Sequence, residues 1–226
     1  MLVDRRLAGE PIAYLLGQRE FYGRDFAVGP GVLIPRPETE LLVELALERC
    51  TAVPAPKLLD LGTGSGAIAI TLAAELPTAT VVATDISADA LEIARMNAQR
   101  LLGANRQPEL LHGSWYAALS GANSFDIIVS NPPYIEAGDP HLTQGDLRFE
   151  PTGALTDGAD GLSALRTIIG GAQARLTRGG WLLVEHGYDQ ATAVRALFAA
   201  AGFAAIFSAR DLAGIERATG GQIPAR

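Results

Sequence analysis

The sequence predicts an α/β protein whose core is a doubly wound, mostly parallel sheet of seven strands, with a β-hairpin ahead of it. Three observations carry that prediction. From residue 57 to residue 219, short runs rich in β-formers alternate with helical patterns, and adjacent parallel strands need such helical crossovers. The first run, Lys57-Leu-Leu-Asp-Leu61, passes through Gly62-Thr-Gly-Ser-Gly66 directly into helix, which is the nucleotide-binding opening of a doubly wound sheet. A later run, Phe125-Asp-Ile-Ile-Val-Ser130, stops at Asn131-Pro-Pro-Tyr134. Polar groups therefore collect at a strand's carboxyl end, where open sheets of this kind bind ligands.

Composition narrows the class of partner. With 226 residues, 48% hydrophobic and 19% charged, the chain suffices for one domain with a full core, plus a small appendage. A formal net charge of −7 argues against broad attraction to nucleic acid or an anionic membrane, so the expected partner is a small molecule or a protein. Cys50 is the single cysteine and lies in an amphipathic helical stretch. It can form no intramolecular disulfide, which fits a reducing compartment, and we read it as packing. Met1-Leu-Val-Asp-Arg-Arg6 carries charges where a signal peptide needs an apolar segment, and the longest apolar run, residues 196–207, is too short to span a bilayer. A soluble, cytoplasmic monomer is expected.

Taken in order, residues 1–10 resemble the tail of a helix broken at Gly9-Glu10-Pro11, so further helical structure is expected upstream. Residues 19–28 place apolar positions on both sides of Gly23-Arg24-Asp25 and predict a hairpin outside the main sheet. Ile34-Pro-Arg-Pro-Glu-Thr-Glu40 is a rigid, charged entry to a helix carrying Leu41, Leu42, Leu45 and Ala46. Pro37 suits its first turn, and Arg36, Glu38 and Glu40 read as solvated helix-start charges. After the glycine turn, the strand 80–84 ends in Asp85. Ser87 or Asp89 caps a helix that Gly103 stops, and the strand 109–112 leads into Gly113-Ser-Trp115-Tyr116. A long loop beyond Tyr134 reaches a helix over 162–176, then a strand over 181–186, a helix over 189–201 and a closing strand pair over 203–208 and 215–219. Loops of that length in a compact domain are often lids or substrate walls.

The motifs define two ligand sites. Gly62, Thr63, Gly64, Ser65 and Gly66 offer a turn without obstructing β-carbons, backed by the first N–H groups of a helix. Asp85 follows Gly66 at about the 20 residues that bring an acid to a ribose diol. The pattern Asp60-x-Gly-x-Gly-x-Gly66 lacks the last glycine spacing of the dinucleotide fingerprint, which favours an adenosine ligand without a pyrophosphate. Trp115 is placed either to stack near an adenine or to fill the core. At the other site, Pro132 and Pro133 carry no N–H, so the turn presents carbonyl oxygens that its neighbours cannot consume. Asn131 adds a side-chain acceptor and Tyr134 a ring, a set suited to a planar –NH₂ group, although the tetrapeptide alone is equally a proline-rich turn. His112, His141 and His186 share no metal-ligand spacing, and neither a Gly-x-Ser-x-Gly elbow nor a Walker loop is present. No metal is expected.

An adenosine site without phosphate beside an –NH₂ clamp points to S-adenosylmethionine and N-methylation. Pro35-Arg-Pro-Glu-Thr-Glu40, Asp60-Leu-Gly-Thr-Gly-Ser-Gly66, Asp85, Trp115, Asn131-Pro-Pro-Tyr134, Arg148-Phe-Glu-Pro151 and Glu185-His-Gly187 resemble the HemK/PrmC family of protein-(glutamine-N) methyltransferases, which modify class I peptide chain release factors. The resemblance implies a sheet of the class I S-adenosylmethionine-dependent type. It implies that residues 62–66 hold the methionine end of the cofactor, that Asp85 holds the ribose, that Trp115 lies beside the adenine, and that Asn131 also touches the cofactor. Asn131, Pro132 and Tyr134 become the catalytic set, and Asn131, Pro132, Pro133, Tyr134 and Glu150 the substrate contacts. It divides the chain into a remnant of a helical domain with the hairpin (1–34) and a catalytic domain (35–226). Alternatives are glutamine methylation of a large-subunit ribosomal protein and, against the net charge of −7, adenine-N6 methylation of nucleic acid. The tail Gly220-Gly-Gln222 repeats the substrate tripeptide; we read it as coincidence, with methylation of Gln222 as the alternative.

Overall fold

A computed structural model describes residues 1–104, 106–121 and 124–225. Two short helices, α1 (Leu2–Leu7) and α2 (Ile12–Leu16), lead into a hairpin of β1 (Gln18–Phe21) and β2 (Arg24–Ala27). A 3-10 turn at Pro37–Thr39 opens α3 (Glu40–Cys50). Alternation then begins: β3 (Lys57–Leu61), α4 (Ala67–Glu75), β4 (Thr80–Asp85), α5 (Ala88–Leu102), β5 (Glu109–His112) and β6 (Phe125–Ser130). Beyond a long loop holding α6 (Thr152–Leu155) come α7 (Ser163–Ala172), β7 (Leu176–Glu185), α8 (Ala191–Ala200), β8 (Ala204–Arg210) and β9 (Glu216–Gln222). The main sheet has seven strands in the order β5-β4-β3-β6-β7-β9-β8. Its first five are parallel, and β9 runs antiparallel to both neighbours.

Parallel strands covered on both faces are apolar along their length, and β3 shows why. Leu58 points into a core shared with α3, α4 and the hairpin phenylalanines, while Leu59 and Leu61 point into the opposite core with α7 and α8. The chain leaves β3 toward β4 on one side and returns as β6 on the other. That reversal opens a crevice at the carboxyl end of β3, the end that carries the glycine turn and Asn131.

Several elements differ from expectation. The hairpin turn sits one residue earlier, at Tyr22-Gly23 with φ of 51° and 73°, because a two-residue hairpin loop needs the left-handed region at both centres. Phe21 and Phe26 then fall on one face and bury edge-to-face at 6.0 Å. α2 was not expected. The helix predicted over 162–176 ends at Ala172, and Leu176 already begins β7, whose register shifts against β6 between Phe125 and Ile127. β9 runs on through Gly220-Gly-Gln222. A Cβ on Gly220 would stand 2.6 Å from Phe207 and one on Gly221 2.6 Å from Phe198, so these glycines make room for aromatic packing. Gln222 Nε2 donates to the Gly179 carbonyl at 2.9 Å, and packing thus accounts for the tripeptide.

Candidate active site

The glycine turn is tied to β4 before any ligand is considered. Gly62 and Thr63 donate their N–H groups to the Thr84 carbonyl at 2.9 and 3.0 Å. Gly62, Gly64 and Gly66 have φ of 75°, 56° and 83°, where a β-carbon is costly. Asp85 continues the lock: Oδ2 accepts from Gly64 N and Oδ1 from Ser87 N, each at 2.8 Å. One carboxylate thus joins the turn to the start of α5, and each oxygen keeps a further lone pair for a hydroxyl. Trp115 lies against Gly62, with its ring 3.3 Å from where a Cβ on that glycine would stand, and holds φ at 47°. Gly62, Thr63, Gly64, Ser65, Asp85, Trp115, Asn131 and Pro133 all line one crevice. Gly66 sits one step behind, at the N-cap of α4.

Under the turn, Asp60 is fully buried. Thr63 Oγ1 donates to its Oδ2 at 2.7 Å, the Ala69 N–H faces the same carboxylate, and burial pushes the carboxyl up to about 7. Asp85, in the crevice wall, makes this end unfavourable for phosphate and favourable for a cationic adenosine ligand, whereas burial disfavours the charged form of Asp60 beneath the turn. S-Adenosylmethionine, with a sulfonium and an ammonium, fits that donor and charge set.

The Asn131 end is built from distant segments. Ser130 Oγ donates to the Leu61 carbonyl at 2.7 Å, fixing the end of β6 beside that of β3. Asn131 Nδ2 donates to Thr39 Oγ1 at 3.1 Å, and Thr39 in turn donates to Glu185 Oε2 at 2.7 Å. Tyr134 donates its phenol to Glu185 Oε1 at 3.2 Å. Burial raises the Tyr134 phenol well above its ordinary pKa and the Glu185 carboxyl to about 7. Gln190 Nε2 holds the Tyr134 carbonyl at 2.9 Å.

Pro132 is buried, and Pro132, Tyr134 and Glu150 do not line the crevice themselves. Glu150 accepts from Ile34 N at 2.9 Å and pairs with the Arg36 guanidinium. It therefore anchors the segment whose Pro35 and Arg36 form part of the wall. Sequence reasoning gave Arg36 only a solvation role and assigned no site role to Thr39 or Glu185. Both motifs that contain them were visible, but only the fold shows that they meet. His186 is buried, with Nε2 2.9 Å from Thr219 Oγ1. Among the described residues, no group of three metal-ligating side chains occurs and no helix is long and apolar enough to cross a membrane.

A glycine turn at the switch point of a mostly parallel seven-stranded sheet, with β9 antiparallel near its edge, is the arrangement of the S-adenosylmethionine-dependent methyltransferases of class I, and that is the class to which this fold assigns the chain. The family model described as "Methyltransferase small domain" matches residues 37–146. Over 226 residues the chain is 58% identical to the release factor glutamine methyltransferase of Burkholderia pseudomallei (strain K96243), covering 99% of this chain and 79% of that protein. Over 222 residues it is 60% identical to the release factor glutamine methyltransferase of Bordetella pertussis (strain Tohama I), covering 98% and 81%. A solved protein-(glutamine-N5) methyltransferase (release factor-specific) from Alicyclobacillus acidocaldarius is similar at 31% identity and a TM-score of 0.52, covering 88% of this chain and 99% of that one. The chain belongs to the release factor glutamine methyltransferase family.

Proposed function

We infer that this chain moves a methyl group from S-adenosylmethionine to the side-chain amide nitrogen of the glutamine in the Gly-Gly-Gln motif of class I peptide chain release factors. The observation that carries the reading is that Asn131 and the glycine turn face one crevice. S-Adenosylmethionine supplies an electrophilic methyl on sulfonium. In this reading residues 62–66 cradle its methionine end, Asp85 accepts from its ribose hydroxyls, and Trp115 and Asn131 complete its wall. An amide nitrogen is a weak nucleophile because its lone pair is delocalised into the carbonyl. Asn131 Oδ1 accepts one of its hydrogens, which helps hold the nitrogen in line with the methyl and stabilises the positive charge that develops on it. Pro132, buried outside the crevice, shapes the turn that carries Asn131. Pro133 stands beside the amide in the crevice wall, and Tyr134, outside that wall, supports the turn through its phenol on Glu185. Glu150 contributes through Arg36. No base would be needed before transfer: the nitrogen would shed its surplus proton to water afterwards, and S-adenosylhomocysteine would be the other product.

The same reading makes residues 1–34 a front unit that faces the protein substrate and residues 35–226 the catalytic unit. It describes a cytoplasmic enzyme acting as a monomer, which suits a buried, unpaired Cys50. The test is transfer of labelled methyl from the cofactor to purified release factor, ribosomal protein or DNA. Label is expected on the release factor glutamine, and label on either other acceptor instead would overturn the assignment.

A further inference from the structure

Thr39 and Glu185 have no part in the chemistry above, yet Thr39, in the crevice wall, contacts Asn131, and Glu185 stands behind Thr39. Their hydrogens are few enough to count. Glu185 as a carboxylate can only accept, and it takes the Thr39 hydroxyl at 2.7 Å and the Tyr134 phenol at 3.2 Å. With its one hydrogen committed, Thr39 presents only lone pairs to Asn131, so the 3.1 Å contact is an amide N–H donated to Oγ1. Asn131 Oδ1 accepts from no protein group among the described residues and is left for the crevice that Asn131 lines. A flipped amide would set its own hydrogens against those of the substrate –NH₂ group. Both supports are buried, Thr39 at 4% and Glu185 at 2% exposure, so water does not replace them.

We propose that Thr39 and Glu185 are positioning residues that fix the Asn131 amide with its oxygen toward the reacting nitrogen, and that Glu185 does so as the carboxylate. This rests on the reading of Asn131 as the amide clamp. The geometry spans three elements. Thr39 ends the 3-10 turn before α3, Glu185 ends β7, and Asn131 follows β6. The groups facing Glu185 are Thr39 and Glu38 from that turn, Tyr134 beyond β6, and Arg217 on β9.

The direction of the pH dependence follows. Burial raises the Glu185 carboxyl to about 7. Once protonated, it must donate a hydrogen; given to Thr39 Oγ1, this turns the Thr39 hydrogen toward Asn131 and favours the flipped amide. Turnover is therefore complete above this pKa and falls as pH drops through it.

The experiment measures kcat with cofactor and release factor saturating, from about pH 5.5 to 8.5. Thr39→Val removes the hydroxyl at nearly constant volume and should lower kcat roughly tenfold to a hundredfold with cofactor affinity unchanged. Thr39→Ser should recover most of that loss. Glu185→Gln must donate where the carboxylate accepts, so it should lower kcat and erase the acidic limb. Wild-type kcat in both Thr39→Val and Glu185→Gln, or an acidic limb that persists in Glu185→Gln, overturns the proposal. If Thr39→Val fails to fold, the Glu185→Gln profile decides alone. Asn131→Ala separates the two levels: surviving turnover there removes the clamp itself, whereas its loss alongside an active Thr39→Val removes only the positioning role.

Discussion

Both oxygens of Asp85 already accept backbone N–H groups, from Gly64 and Ser87 at 2.8 Å each. Removing the side chain therefore unties the glycine turn from α5 and, in the proposed reading, takes away a charge-assisted acceptor for the ribose. Each hydrogen bond to a charged group is worth about 1.5–3 kcal/mol. Asp85→Ala should weaken S-adenosylmethionine binding by roughly tenfold to a hundredfold in calorimetry. Asp85→Asn should lose less, since one oxygen still accepts. Unchanged affinity in the alanine variant would show that the cofactor lies elsewhere. The residues that set this site differ in how far they could be read from the chain. The glycine turn, Asp85 and Asn131-Pro-Pro-Tyr134 announce themselves because backbone demand and ligand chemistry fall on neighbouring positions. Thr39 lies 92 residues from Asn131, and Glu185 lies 51 from Tyr134. The motifs that hold them are visible, but nothing local shows that they meet Asn131 and Tyr134, since only the sheet order brings the end of β7 beside that of β6.

At the scale of elements, the alternation of strands and helices was legible because parallel strands are continuous apolar runs closed by glycine or proline. The closing strands were less so. β9 carries Thr219-Gly220-Gly221-Gln222 where a β-propensity reading stops, because glycine weakens an isolated strand. Here the missing side chains are replaced by rings from neighbouring elements: Phe207 fills the space over Gly220, and Phe198 and Phe203 the space over Gly221. Propensity was overridden by packing. Gly221→Ala should consequently overpack the core, since its Cβ would meet Phe198 at 2.6 Å and Phe203 at 3.0 Å. Overpacking of this kind costs about 1–3 kcal/mol. The Tm should fall by about 2–4 °C for each kcal/mol, read by calorimetry. A Tm equal to wild type would mean that the rings can retreat and that the glycine is not required.

At the scale of the whole molecule, Asn97 ties the hairpin to the glycine turn. Asn97 on α5 is buried; its Nδ2 donates to Ala27 and Ser65 carbonyls at 3.0 and 2.9 Å, and its Oδ1 accepts from Ala27 N at 2.8 Å. α1 is attached differently. None of its residues is buried, and it is held to the loop before Glu150 by Arg148 donating to the Ala8 carbonyl at 2.8 Å and by Arg6 with Asp146 at 3.3 Å. A single glutamine side chain offers too small a contact for specific docking, since stable protein interfaces bury roughly 1,200–2,000 Å² in total. We propose that part of the remainder comes from the hairpin and from the loop around Asp146 and Arg148. Deleting residues 1–10 uncovers little core but frees that loop. The shortened chain should keep its affinity for S-adenosylmethionine and its kcat/KM on a short Gly-Gly-Gln peptide, while KM for intact release factor rises at least severalfold. Equal KM values for the intact protein would place docking on the hairpin and catalytic core alone. A matching loss on the peptide would instead trace the defect to the crevice itself, through Glu150, which the same loop carries and which pairs with Arg36 in the crevice wall.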